Sequence, residues 1–207
     1  MAYPTVSAPY GLRPINSVDG KPYAGATRLF DIDTNADSLY YGNVLYLKDG
    51  LVSSGNGGPY DPANGPVGVF VGCTYINPVN KQATWSQYFP AGASITEAQA
   101  YVVDDPMVLF QAVVADEVGP DNIVVIDTTQ KSAIGSNMAY NERTSATSPT
   151  TGNSGGYVIA GTEADTPSLI LRVIGVVPAS KTETGYPELL VKLNGHAYNN
   201  TTGWYSV

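Results

Sequence analysis

Apolar and polar residues alternate with a period of two along much of the chain, which predicts strands rather than helices. The longest such run begins at Pro66 and reads "PVGVFVGCTY". Alternation assigns one face to Val67, Val69, Val71, Cys73 and Tyr75, and the other face to Gly68, Phe70, Gly72 and Thr74. The two glycines leave room for close approach by another backbone or an aromatic ring, or mark a bulge.

Further apolar runs bring the number of predicted strands well above the number of predicted helices. "LILRVIGVV" from Leu169 and "ELLVKLNGHAY" from Glu188 are strong strand patterns, and "NVLYLKDG" and "NIVVID" are shorter ones. In "AYVVDDPMVLFQAVV", the turn signal Asp104-Asp105-Pro106 divides the run into two strands that can pair as a hairpin. This excess of strands predicts an all-β fold, either an antiparallel β-barrel or a β-sandwich.

Helix is a minor component of the predicted fold. In "SITEAQA", Ser94 and Glu97 have the spacing of a capping box, but the pattern becomes strand-like at Tyr101. The 15 Tyr, 22 Gly and 15 Pro suit short strands joined by turns. We therefore expect at least seven strands, at most one or two short helices, and less than about 15% helix.

The N-terminal heptad "APYGLRP", residues 8–14, predicts an extended arm over residues 1–25. Each proline fixes its own φ near −65° and disfavours helix at the preceding residue. Gly11 can adopt a positive φ, which would let the side chains of Tyr10 and Leu12 diverge into separate pockets. We expect the arm to dock on a neighbouring protein, the alternative being that it folds onto its own barrel.

The remainder, residues 26–207, is predicted to be a single β-rich domain. Its least patterned stretch is "KSAIGSNMAYNERTSATSPTTGNSGG", which is polar and rich in small residues. It predicts a long polar loop at about residues 131–156, of the kind that lies against a partner or remains disordered.

Composition and charge exclude several classes of protein. The formal net charge is −8 and the ten Lys and Arg are scattered, so there is no basic stripe for direct binding of nucleic acid. The first ten residues lack the pattern of a secretory signal, and no apolar run approaches the roughly 18 residues of a membrane span. The single cysteine, Cys73, forms no intramolecular disulfide and is predicted to be a small core residue.

One short motif is typical of an enzyme but lacks its partners. "GNSGG", Gly152 to Gly156, resembles the nucleophile loop of chymotrypsin-like proteases, with Ser154 as the nucleophile. In that family the histidine precedes the serine, whereas the single histidine here, His196, follows it. Alternation places His196 on a polar strand face with Lys192 and Asn194, where we expect it to be solvated or interfacial. The sequence therefore predicts that the chain is not an enzyme and needs no cofactor.

A second motif has the spacing of a calcium loop. "DIDTNADSLYYG" places Asp31, Asp33, Asn35 and Asp37 at alternate positions, but Ala36 and Gly42 stand where an EF-hand needs glycine and glutamate. The pattern favours an Asx-rich turn over a metal site, with bound calcium as the alternative.

Several segments together resemble the capsid decoration, or cement, proteins of tailed phages. They are "PYGLRPI", "GATRLFDI", "LYYGNVLYL", "GPVGVFVGCTYI", "YVVDDPMVLFQ", "LRVIGVV" and "LLVKLNGHAY". The resemblance extends over nearly the whole chain, and its most specific elements are "PYGLRP", "DDP" and "LNGHAY". It implies a virion protein on the capsid exterior that binds the assembled major capsid protein, commonly as a trimer, and stabilises the lattice.

Exposed aromatic residues suit such an adhesive role, because they bring large contact area at little cost in side-chain entropy. Candidate residues for a capsid or subunit interface are Tyr10, Leu12, Arg13, Tyr23, Trp204 and Tyr205. The expected partners are the major capsid protein and two further copies of the chain, without nucleic acid, membrane, metal or cofactor. The alternative function is a β-sandwich module of a tail or head fibre that binds a host glycan.

Overall fold

A computed structural model of the chain contains two β-sheets packed against each other. It describes residues 6, 8–33, 36–55, 65–91, 95–115, 129–142, 151–177, 180 and 186–199. The first sheet contains strands β2 (Arg28–Ile32), β3 (Val44–Lys48), β4 (Leu51–Ser54), β5 (Gly68–Ile76), β6 (Ala83–Ser86) and β7 (Thr96–Val103). The second contains β1 (Arg13–Ser17), β8 (Val108–Ala115), β9 (Asn137–Met138), β10 (Tyr140–Asn141), β11 (Tyr157–Ile159), β12 (Leu171–Val176) and β13 (Glu188–Leu193).

The first sheet closes on itself as a small barrel. Its strands follow the order β3-β4-β2-β7-β5-β6, and an additional pairing of β3 with β5 joins the two sides. Five strands thus form a ring, with β6 attached to β5 outside it. Closure pairs the edges that an open sheet would expose, so β6 carries the edge of this sheet.

The second sheet follows the order β10-β11-β8-β13-β12-β9, with β1 also paired to β8. Its central strands, β8 and β13, carry the apolar runs "VLFQAVVA" and "ELLVKL". Its apolar face packs on the outer wall of the barrel, since side chains from both form one buried cluster.

Three clusters of buried side chains reflect this arrangement. One fills the barrel and includes Phe70, Cys73 and Val102. A larger one lies between barrel and second sheet, where Val44 and Val69 from the barrel meet residues of β8, β12 and β13. A small third cluster, containing Tyr10, Val113, Ala115, Tyr157 and Tyr186, is separate from the other two.

The all-β prediction is confirmed. The described residues form thirteen strands, and their helical content is small: it includes one α-helical turn, α1 (Thr129–Ser132), and a 3₁₀ turn at Ala197–Asn199. The strands predicted from "PVGVFVGCTY", "LILRVIGVV", "ELLVKLNGHAY" and "NVLYLKDG" are all present as β5, β12, β13 and β3. "NIVVID" lies outside the described residues.

The predicted faces of β5 are wrong because the strand contains a bulge. The register against β7 shifts between Phe70 and Gly72, so that Phe70 and Cys73 both face the barrel interior. Val69 and Val71 instead pack toward the second sheet. The expected roles of the two glycines are confirmed. Gly72 sits at the bulge, and a Cβ on Gly68 would collide with the Val103 carbonyl oxygen.

The hairpin predicted around Asp104-Asp105-Pro106 is also wrong, since β7 and β8 belong to different sheets. Asp105 fixes a corner: its carboxylate accepts a hydrogen bond from Met107 N–H at 2.8 Å, and its carbonyl accepts one from Val108 N–H at 3.2 Å. The corner carries the chain from the barrel to the second sheet. Most pairings are antiparallel as predicted, but β2–β4 and β8–β11 are parallel.

The helical turn predicted from "SITEAQA" is not formed by its described residues. Glu97 lies inside strand β7, and Ser94 lies outside the described part of the chain. Glu97 has a φ of +54°, which a residue with a side chain rarely adopts. The capping-box spacing at this position therefore coincides with a distorted strand rather than a helix start.

The polar loop predicted at about 131–156 is partly structured. It contains the end of α1, strands β9 and β10, and a buried segment at residues 154–156. Its central part, residues 143–150, lies outside the described residues.

The free N-terminal arm predicted for residues 1–25 is wrong over the described part from Tyr10 onward. Tyr10 and Leu12 are buried in this chain's own cores, and Arg13–Ser17 form β1 on the edge of β8. As predicted, Gly11 has a positive φ, +78°, and the neighbouring side chains enter separate clusters. The alternative holds here: the segment folds onto its own sheets, because burying its apolar side chains there removes them from water.

A close backbone crossing joins this segment to the barrel at Gly11 and Gly42. Leu12 N–H donates to the Gly42 carbonyl at 3.0 Å, and Gly42 N–H donates to the Phe70 carbonyl at 2.8 Å. A Cβ on Gly11 would lie 2.8 Å from the Gly42 carbonyl oxygen. The crossing therefore requires glycine for its space as well as for its conformation.

We predict that Gly11→Ala destabilises the protein by roughly 2 to 5 kcal/mol, because it combines left-handed strain with overpacking. Gly20→Ala is the matched control, since Gly20 has a φ of +84° but nothing within 4 Å of its added Cβ. It should cost only about 1 kcal/mol. Urea unfolding of both variants measures the difference, and equal losses would contradict the crossing as the cause.

Candidate functional site

The sequence-predicted interface residues occupy different environments. Tyr10 and Leu12 are buried, so they are unavailable to a partner in this fold. Arg13 is exposed, with its guanidinium carbon 3.8 Å from the centroid of the Tyr10 ring, and Tyr23 is partly buried. Trp204 and Tyr205 lie outside the described residues. Of the predicted set, Arg13 and Tyr23 are the ones seen at the surface.

Arg13 and Tyr23 belong to the same N-terminal segment as Val18, an exposed apolar residue whose backbone is hydrogen-bonded to Met107, a second one. We call Arg13, Val18, Tyr23 and Met107 the N-terminal corner. Val18 is 42% exposed and Met107 is 43% exposed, and Val18 N–H donates to the Met107 carbonyl at 2.9 Å. The turn after β1 and the corner before β8 are therefore joined through their backbones, and each presents one of these side chains to solvent.

A polar junction lies where the barrel meets the second sheet. Asn43 Nδ2 donates to Glu142 Oε1 at 3.0 Å, and Val44 N–H donates to the same oxygen at 2.6 Å. The Tyr140 hydroxyl donates to the Gly42 carbonyl at 3.3 Å, and the buried Ser154 hydroxyl accepts from Gly156 N–H at 3.0 Å. The bonds made by Asn43, Val44 and Gly42 tie Tyr140 and Glu142 to the start of β3.

The junction perturbs the titration of its carboxyl group. Burial raises the pKa of Glu142 to about 7, although Asn43 and the backbone N–H groups of Val44 and Gly55 act in the opposite direction. Burial also raises the pKa of Tyr140 well above 10, with the nearby Glu142 carboxylate adding to the effect. The Tyr140 phenol therefore stays neutral over the range in which Glu142 titrates.

A second buried acidic contact lies under the N-terminal segment. The Tyr10 hydroxyl donates to Glu188, the first residue of β13, and Ser180 Oγ accepts from the Glu188 N–H at 2.9 Å. Burial, followed by this hydrogen bond, raises the pKa of Tyr10 well above its usual value. The contact fastens Tyr10 to the chain's own sheet.

The protease-like motif does not form a catalytic pair in the described structure. Ser154 Oγ is bonded by Gly156 N–H and lies 3.4 Å from Asn43 Nδ2, whereas His196 Nδ1 accepts from Tyr198 N–H. The expectation that His196 lies on a polar, solvated face is wrong, because it is 1% exposed. Gly195, with a φ of +62°, turns the chain after β13 and directs His196 inward.

His196 belongs to a cluster built from three distant segments. Arg28 Nε lies 3.0 Å from Asp104 Oδ2, and its guanidinium stands over the Tyr198 ring. The rings of His196 and Tyr198 are 5.2 Å apart. Burial lowers the pKa of His196, while the Asp104 carboxylate opposes that effect. These contacts join the 3₁₀ turn at Ala197–Asn199 to strand β2 of the barrel and to the corner at Asp104.

Cys73 is buried inside the barrel, as predicted for a core residue. Burial raises the pKa of its thiol to about 12, so the reactive thiolate is scarce at neutral pH.

The candidate calcium loop is only partly described, because Asn35 lies outside the described residues. Asp31 accepts a hydrogen bond from Gln99 Nε2 at 3.0 Å, and Asp33 carbonyl accepts from Ala36 N–H, as in a turn. Among the described residues, no group of three or more His, Cys, Asp or Glu is placed to hold a metal ion.

Sequence reasoning missed the outer face of the barrel, part of which the second sheet leaves uncovered. Strand register aligns Trp85, Thr74, Gln99 and Asp31 across β6, β5, β7 and β2. Beside this row is a cleft of about 410 Å³ lined by Asp31, Thr74, Tyr75, Ile76, Ala83, Glu97 and Gln99. The only sequence signal is the tryptophan at an outward position of "ATWS", which is 63% exposed. We call Trp85 and this cleft the barrel-face cleft.

No helix in the described part of the chain is long and apolar enough to span a membrane.

Comparison with protein-family models, curated proteins and solved structures finds no match to this chain.

We predict that Glu142 makes stability depend on pH. Its folded pKa of about 7 exceeds the ordinary value of 4.5, so between these values the folded state retains a proton that the unfolded state has released. The free energy of unfolding therefore falls as pH rises through this window and levels off above about pH 7. With about 1.4 kcal/mol for each pKa unit, we expect a loss on the order of 2 to 3 kcal/mol.

Glu142→Gln should remove this component, so that its stability relative to wild type increases from pH 5 to pH 8 in urea unfolding. The lowered pKa of His196 makes stability rise with pH, opposite to the effect of Glu142. This contribution is present in both proteins, so it cancels in the difference between the variant and wild type. Glu163→Gln, at an exposed position, is the matched control and should leave the pH profile unchanged. Parallel profiles for wild type and Glu142→Gln would contradict the prediction.

Proposed function

We propose that the chain is a virion structural protein that binds the outside of an assembled phage capsid and stabilises the lattice. In this role it acts without catalysis or a cofactor, as a decoration protein whose partner is the major capsid protein. The homotrimer included in this proposal rests on the sequence resemblance alone. The proposal combines that resemblance with one structural observation, the N-terminal corner.

The N-terminal corner supports the proposal because it presents apolar area in a rigid frame. Val18 and Met107 project from two turns joined by a backbone hydrogen bond, so little conformational entropy is lost when they are covered. Arg13 and Tyr23 lie in the same segment and supply the side-chain types that are enriched at interfaces. This surface replaces the free arm as the proposed site of attachment.

The positions of the resembling segments also support the proposal. "GATRLFDI", "YVVDDPMVLFQ" and "LLVKLNGHAY" meet through Arg28, Asp104, His196 and Tyr198. "PYGLRPI" and "LYYGNVLYL" meet at Gly11 and Gly42. The segments thus form the contacts that shape the fold, as expected if the resemblance reflects a shared architecture.

A second candidate function, a glycan-binding module of a tail or head fibre, is favoured by a different observation. The barrel-face cleft combines an exposed tryptophan with hydrogen-bonding side chains. Position in the particle separates the two candidates. Cryo-electron microscopy that found this chain at a fibre tip, with no copies on the shell, would refute the decoration proposal.

We predict that Val18→Ser combined with Met107→Ser weakens binding to capsids by about five- to thirtyfold, since covering the two partly exposed apolar side chains contributes roughly 1 to 2 kcal/mol in total. The measurement is co-sedimentation of purified protein with capsids of the parent phage from which this chain has been removed. Melting temperature should change little, because both side chains are already exposed.

The control is Ile134→Ser, which removes a similarly exposed apolar side chain beside β9, at the other side of the second sheet. It should decorate capsids like wild type. If the Val18/Met107 variant decorates with unchanged affinity, the N-terminal corner is not the attachment site.

A further inference from the structure

Trp85 forms a flat platform on the outer wall of the barrel. A Cβ on Gly72 would lie 3.3 Å from Trp85 Cζ2, so the missing side chain leaves room for the indole ring against the β5 backbone. Gly72 has a φ of +149°, at the bulge that shifts the strand register. The indole ring therefore lies beside the β5 backbone while 63% of the residue remains exposed to solvent.

The cleft begins beside this platform. Thr74, one of its lining residues, is the direct strand partner of Trp85, and opposed side chains of an antiparallel pair lie within about 5 Å at Cβ. Gln99 faces Thr74 from β7 and donates to Asp31 Oδ1 at 3.0 Å. The cleft thus continues the platform with a row of hydroxyl, amide and carboxylate groups.

Glu97 adds a second carboxylate to the cleft. It has the unusual φ of +54° next to an irregularity in the pairing of β5 with β7, where Ile76 pairs with Thr96. None of the described residues lining the cleft is basic, and the formal charge of the chain is −8. This charge disfavours phosphorylated, sulfated and carboxylated ligands.

We propose that the barrel-face cleft binds a neutral saccharide, with one sugar ring stacked on Trp85 and the next in the cleft. A sugar presents C–H groups on its ring face and hydroxyl donors at its edge. The first suit an open indole face and the second suit the acceptors of Asp31, Glu97 and Gln99. A cleft of about 410 Å³ falls within the range of small-ligand sites.

This inference deepens the second candidate function and does not depend on where the chain lies in the particle. Gln99 and Asp104 are five residues apart on and just beyond β7, or roughly 17 Å along an extended strand. The cleft and the N-terminal corner are therefore separate surfaces, and a protein attached through the corner keeps the cleft open.

The test is saturation-transfer-difference NMR of the full chain with neutral trisaccharides of glucose, galactose, mannose and N-acetylglucosamine at millimolar concentration. We expect at least one to bind. Trp85→Ala should lower its affinity about tenfold or more, whereas Trp85→Phe, which keeps a smaller platform, should lower it by about threefold. Val79→Ala is the matched control, because Val79 is exposed on the same hairpin but does not line the cleft.

Charge supplies a second, independent readout. The wild-type protein should bind a glucuronic-acid-containing trisaccharide more weakly than its neutral counterpart, and Asp31→Asn combined with Glu97→Gln should narrow this difference. Unchanged melting temperatures exclude unfolding as the cause of any loss.

Three results would overturn the inference: no transfer to any neutral trisaccharide, full affinity in Trp85→Ala, or tighter binding of the anionic ligand by wild type. None of them bears on capsid binding, which the corner variants test separately.

Discussion

The backbone crossing of Gly11 and Gly42 is the contact on which the relation between the two sheets depends. Leu12 lies in the core between the barrel and the second sheet, whereas Tyr10 lies in the separate small cluster, and only a residue without a side chain fits between them. The hydrogen bond from Leu12 to Gly42 continues through Gly42 to Phe70, inside the barrel. One tightly packed point, which glycine allows, thus connects all three cores.

Residues of β5 and β7 belong to two of the cores, and the parts of these strands that neither core covers are exposed to partners. β5 and β7 face the barrel interior on one side, while the outer side is covered by the second sheet only at the Val69 and Val103 end. Toward Thr74 and Gln99 the outer side is open and carries the cleft. At the covered end, the corner at Asp105 passes the chain to β8 and exposes Met107. The second sheet thus covers only one end of the β5–β7 pair. The barrel-face cleft lies at the uncovered end, and the N-terminal corner follows the covered end.

Strand identity was predictable from the sequence where burial follows a simple alternation, as in β12 and β13. It was less predictable where one residue changes the register. The bulge beside Gly72 exchanges the faces of β5, and the positive φ of Gly195 moves a histidine from a predicted polar face into the interior. Such changes depend on contacts with distant strands, which a period-two pattern does not contain.

The candidate surfaces were harder to predict than the fold. The prolines around Tyr10 and Leu12 indicate an extended segment correctly, but extended backbone suits an edge strand as well as a free arm. Burial of Leu12 depends on β8 and β13, which lie about 100 and 180 residues later in the chain. Trp85 and Glu142 gave little local signal, because their roles arise from strand order and sheet packing.

The placement of Cys73 gives the protein a built-in reporter of its own internal motion. It is the single thiol of the chain, and it is enclosed by the five-stranded ring with none of its surface exposed. An alkylating reagent can reach it only after the ring strands, or the segment at Ser86 and Tyr88 whose carbonyls contact its sulfur, move away, so the labelling rate follows opening of the barrel and β6 rather than disturbance of the second sheet. The rate at which Cys73 is alkylated can thus distinguish opening of the barrel from detachment of the second sheet.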